Sequence, residues 1–112
     1  MTWGAAMNKA NQPSNATHVL EGTFYFDPDD AIYRDHFPGN PVVPGSLIVH
    51  AFLETATSQG WVKGNCRLEG FRFSRFVSPG KTHFRMEFRE GKILDCKLHS
   101  QGHLSATGRI RP

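Results

Sequence analysis

The feature that most constrains this chain is the run His36-Phe37-Pro38-Gly39-Asn40-Pro41-Val42-Val43-Pro44-Gly45-Ser46, which joins a strand-like pattern to a helix-like one. Three prolines and two glycines fall within eight residues of it. Proline locks φ and removes a backbone donor, and glycine opens conformations closed to other residues, so the loop is shaped before any ligand arrives. A segment of this kind continues neither a strand nor a helix; it positions chemistry.

Before it, residues 17–26 alternate, with Leu20, Gly22, Phe24 and Phe26 on one face and Val19, Glu21, Thr23 and Tyr25 on the other, which predicts a strand. Asp27-Pro28-Asp29-Asp30 ends it, because Pro28 lacks a ladder donor and the carboxylates favour local turns. The sequence then reads as loop as far as Gly45. Residues 46–59 predict a helix, with Ser46 as N-cap candidate and Gly60 as its stop. At about 100° per residue, Ile48, Val49, Ala51, Phe52, Leu53 and Ala56 spread around most of the circumference. His50, Glu54, Thr57 and Ser58 gather in one arc, so the expectation is a buried helix with one polar stripe.

Four further strands are expected at 68–76, 81–88, 92–100 and 103–110, separated by Ser78-Pro79-Gly80, Glu90-Gly91 and Gln101-Gly102. Phe84, Met86 and Phe88, then Leu94, Cys96 and Leu98, alternate with polar residues, which gives each strand one dry face and suggests an antiparallel meander. One strand, a helix and four more strands make an α+β domain, a curled sheet around a single helix.

A chain of 112 residues holds one core, expected over residues 16–112, while residues 1–15, rich in Asn, Ala and Ser without periodicity, read as a loose tail. No apolar run approaches the ~20 residues of a membrane span and the N-terminus lacks a signal-peptide core, so the expected location is the cytoplasm. The Asn15-Ala16-Thr17 sequon is therefore read as coincidence. Cys66 and Cys96 show no Cys-x-x-Cys spacing and read as small core residues. The scattered net charge of +3 gives no nucleic-acid footprint. His18, His83, His99 and His103 read as surface or sheet residues, with no metal expected.

The stretch Asp35 to Val49 closely resembles the signature of the β-hydroxyacyl-[acyl carrier protein] dehydratases, which have the hot dog fold. Its specificity lies in His-Phe-Pro-Gly followed, after Asn40, by Pro-Val-Val-Pro-Gly and a helix. Gly70-Phe71-Arg72-Phe73-Ser74-Arg75-Phe76-Val77-Ser78-Pro79-Gly80 looks like the family's arginine-phenylalanine strand and Pro-Gly turn, so the resemblance runs from about Thr17 to the C-terminus. The family's longer N-terminal region, with a helix before the first strand, has little counterpart here.

By resemblance, His36 takes the proton alpha to a thioester carbonyl, the Gly45 amide donates to the enolate-like oxygen, and Phe37, Gly39, Val43 and Ser46 line the substrate. The physics suits these roles: an imidazole of ordinary basicity, about 6.5, is largely neutral at pH 7, and a helix N-terminus offers unpaired amides. The plainer readings are a loop histidine capping backbone groups and a glycine serving turn geometry. The resemblance implies a homodimer with two shared sites, the loop of one chain facing the helix of the other, and no cofactor. A small open sheet gives an independent reason to pair.

Where the family carries a carboxylic acid on the helix, this chain has His50, and Glu54 follows one turn later where glutamine is usual. Hydroxide is a poor leaving group, so dehydration needs a donor for the departing oxygen. The expectation is that His50, paired with Glu54 at the i,i+4 distance, replaces the usual acid. The expected function is dehydration of a 3-hydroxyacyl thioester, on acyl carrier protein or coenzyme A, to the trans-2-enoyl form in fatty-acid-like or polyketide-like synthesis. Two alternatives stay open: thioester hydrolysis with Glu54 activating water, and an acyl-thioester or carrier-protein binding module in which His50 has removed turnover. Arg67, Arg72, Arg75, Lys81, Arg85 and Arg89 are either a steering surface for an acidic carrier protein or solvated strand faces.

Overall fold

The computed structural model describes residues 17–35 and 39–112. The tail over residues 1–15, His36 and Phe37 lie outside the described residues. The first strand, β1, is Thr17–Phe26, as the alternation predicts, with Leu20, Phe24 and Phe26 buried. After it the chain forms a single helical turn, α1, at Ile32–Asp35, where the sequence reads as loop. Aspartates build that turn. Asp27 Oδ1 accepts the Asp29 amide at 2.9 Å, Asp30 Oδ1 accepts the Ile32 amide at 3.0 Å and the Asp30 carbonyl accepts the Tyr33 amide at 3.1 Å. Four residues are too few to show periodicity; Asp30 as an N-cap was the available signal.

The central helix, α2, is Gly45–Ser58 and starts one residue before the expected position. Ser46 is not its cap. Pro44 holds the N-cap position in an extended conformation with no side-chain cap bond, and its carbonyl accepts the Leu47 amide at 3.0 Å. A fixed proline φ sets the entry geometry that a serine side chain would otherwise secure. At the other end the Gly60 amide donates to Thr57 O and the buried Trp61 amide to Ala56 O, a Schellman closure that uses Gly60 at φ 77.

Four strands follow: β2 at Arg67–Phe73, β3 at Gly80–Arg89, β4 at Ile93–Ser100 and β5 at His103–Arg111. All pair antiparallel in the order β1-β3-β4-β5-β2. The expected meander holds for β3, β4 and β5, but β2 crosses to the far edge and pairs with β5, Leu68 opposite Ile110. The place beside β3 is taken by β1, which pairs with it along ten residues. β2 is also shorter than expected and carries a bulge between Glu69 and Arg72.

The inner face of the curled sheet wraps α2. Ile48, Phe52 and Ala56, one ridge at i,i+4 spacing, are buried against it. Phe52 lies 5.2 Å from Phe24 and 6.4 Å from Phe84 between ring centroids, both edge-on. Truncating such a side chain costs about 3–5 kcal/mol, so this ridge fixes the helix over the sheet. The polar arc remains in water rather than buried: His50 is 65% exposed and Glu54 70%. Beyond β2 the chain leaves the sheet, and Val77 O accepts the Val43 amide at 2.8 Å, tying the proline-glycine loop to the β2–β3 connection.

Candidate functional site

Depressions lie on both flanks of α2. On the β1 side, a groove of ≈ 430 Å³ has Phe24 and Phe26 among its strand residues, Leu47, His50, Ala51 and Glu54 on its helix wall, and Asp27, Asp30 and Tyr33 on its loop wall. His50 Nε2 and Glu54 Oε1 are 3.4 Å apart, the pairing the i,i+4 spacing predicts. An imidazole beside a carboxylate at the edge of a groove with aromatic side chains is a group able to take part in proton transfer.

On the β2 side, an apolar pocket of ≈ 210 Å³ opens at the helix N-terminus, lined in part by Val43, Pro44, Gly45, Ile48, Phe73 and Val77. Gly45 is the first helical residue, so its amide has no intrahelical acceptor. Phe73 lies flat over it: a Cβ at position 45 would stand 2.9 Å from the Phe73 ring. Glycine is needed here for close approach of that ring rather than for an unusual φ. Gly39 sits exposed in the loop at φ +82, a conformation that needs glycine whatever else the residue does. Ser46 is exposed on the first turn of α2.

The structure thus brings His50 and Glu54 together, and Val43 with Gly45, but sets the two pairs on opposite flanks of one helix. Tyr33 is the groove residue that sequence reasoning missed. It is buried, and burial first, then the Asp30 and Asp27 carboxylates, push its phenol above the ordinary tyrosine range. Of the cations singled out in the sequence, Arg67, Arg85 and Arg89 are in ion pairs with Glu69, Glu21 and Asp95. No ion pair involves Arg72, Arg75 or Lys81 among the described residues. No described helix is long and apolar enough to cross a membrane.

One helix cradled by a curled five-stranded antiparallel sheet is the hot dog fold, and the dehydratase heterocomplex ApeI:P from Xenorhabdus doucetiae shares it. That structure superposes with a TM-score of 0.68 at 24% identity, covering 86% of this chain and 88% of the other. The ApeI-like family model, described as ApeI dehydratase, matches residues 11–109, and the chain belongs to that family. It is also similar to 3-hydroxyacyl-[acyl-carrier-protein] dehydratases FabZ. The protein from Acetivibrio thermocellus is 39% identical over 99 residues, 74% of this chain and 66% of the relative. The one from Thermomicrobium roseum is 34% identical over 96 residues, 73% of this chain and 64% of the relative. The chain therefore spans slightly less than two thirds of these curated relatives.

Proposed function

We propose that this chain dehydrates a 3-hydroxyacyl thioester, on acyl carrier protein or coenzyme A, to the trans-2-enoyl thioester in fatty-acid-like or polyketide-like synthesis. The observation that carries the proposal is the His50–Glu54 pair on a groove floored by aromatic side chains, in a member of a dehydratase family. His36 takes the C2 proton, and the Gly45 amide stabilises the negative charge that develops on the thioester oxygen. The electron pair released at C2 forms the C2–C3 double bond as the C3–O bond breaks. His50, oriented by Glu54, gives its proton to the departing oxygen, which leaves as water. Phe37, Gly39, Val43 and Ser46 line the path of the acyl chain.

Two chains build the site. Gly45 and His50 lie on opposite flanks of α2, which favours a loop from one chain facing the helix of the other. The edge strand β2 and the segment after it expose Leu68, Phe73 and Phe76, an apolar row suited to a second copy. The test is direct: incubate the protein with a 3-hydroxybutyryl thioester and follow enoyl absorbance. Turnover should appear in the parent and vanish in His36→Ala. Equal rates in the two would sink the mechanism, and binding without product would favour a module that holds acyl thioesters.

A further inference from the structure

We infer that the hydroxyl of Tyr33 donates a hydrogen bond to the 3-oxygen of the substrate as that oxygen departs, acting across the groove from His50. The inference rests on the dehydration reading above and adds a residue to it. His50 stands at the solvent rim, 65% exposed, so water competes for its proton and does not fix the oxygen that should receive it. A second donor on the facing wall supplies that orientation, and a donor preorganised toward developing charge is worth more than one recruited from water.

The groove's other polar groups are unsuited to the role. Asp27 and Asp30 accept backbone amides through their Oδ1 atoms and as carboxylates cannot donate. Glu54 faces His50. Thr55 gives its hydroxyl to Ala51 O at 2.9 Å. Thr23 and Tyr25 belong to the outward, exposed face of β1. Tyr33 lines this groove and is only 7% exposed, so the packing around it restricts its ring, while its amide donates to the Asp30 carbonyl and holds its backbone. Burial and the two carboxylates keep the phenol protonated, which makes it a neutral donor throughout the physiological range.

Tyr33→Phe keeps the ring and removes only the oxygen, and its thermal midpoint should match the parent's. Two substrates separate the halves of the reaction. A 3-hydroxybutyryl thioester needs its leaving oxygen protonated, whereas a 3-chlorobutyryl thioester loses chloride, which needs no proton. In both, the C2 proton goes to His36. Tyr33→Phe should lower kcat on the hydroxy substrate by about 10²-fold with KM little changed, and eliminate chloride at the parent rate. Equal loss on both substrates would make the hydroxyl structural and overturn the inference, as would no loss on either. A parent that eliminates chloride but never water retains the dehydratase base while refuting a donor role for Tyr33. A parent inactive on both removes the dehydration reading and this inference with it.

Discussion

His50 and Glu54 show how exposure decides what a side-chain pair can contribute. With both more than half in water and 3.4 Å apart, the pair is worth at most about 1 kcal/mol to stability and weakens with salt. Its value lies in aiming the imidazole, so stability and activity should separate on mutation. His50→Gln keeps a polar side chain of similar reach but cannot carry a transferable proton. It should leave the thermal midpoint unchanged and lower kcat for dehydration by about 10²–10⁴-fold. Glu54→Gln removes only the orienting charge and should cost less than about tenfold. A His50→Gln protein that turns over at the parent rate would take the acid role away from this residue.

Elements were legible in proportion to how local their causes are. β1 matches its alternation because Pro28 and the aspartates end it within the sequence. The His50–Glu54 pairing follows from one helical turn. The start of α2 does not, since Pro44 caps it through backbone geometry that no side chain advertises. The partner of β2 was hidden for another reason: strand pairing is long-range, and nothing in Arg67–Phe73 says that β1 already fills the place beside β3. Tyr33 was invisible as a groove residue because only the turn of α1 brings it to the helix. The same pairing explains the exposed row along β2. Phe76 is 85% exposed and owes little to its own chain, so Phe76→Glu should change the stability of one chain by less than about 0.5 kcal/mol. If β2 edges join two copies, that variant should nonetheless halve the mass seen by light scattering and lose activity. A variant that keeps both mass and activity would move the interface elsewhere.

Across the described residues, one core runs from β1 through α2 to β5, and it encloses a thiol that reports on its integrity. Cys96 lies on the inner face of β4, opposite Met86 on β3 and Gly108 on β5, and is 1% exposed. Burial, with the neighbouring Asp95 carboxylate adding to it, pushes the thiol up to about 12, against 9.0 for the free side chain. Between those values the unfolded chain has released this proton and the folded chain still holds it, so the unfolded state binds fewer protons and stability falls as pH rises. Below about 9 both states keep the proton and the full contribution is present. The slope should approach about 1.4 kcal/mol per pH unit above 9, and the raised Tyr33 phenol adds a loss of the same sign above its ordinary range near 10. Urea midpoints measured from pH 8 to 10.5 should therefore decline, and Cys96→Val, which fills a similar volume without an ionisable group, should flatten most of the decline. The comparison is between slopes, so any packing cost of valine drops out. An alkaline slope unchanged in Cys96→Val would mean that the thiol reaches water in the folded protein, and that the sheet does not close over α2 at β4.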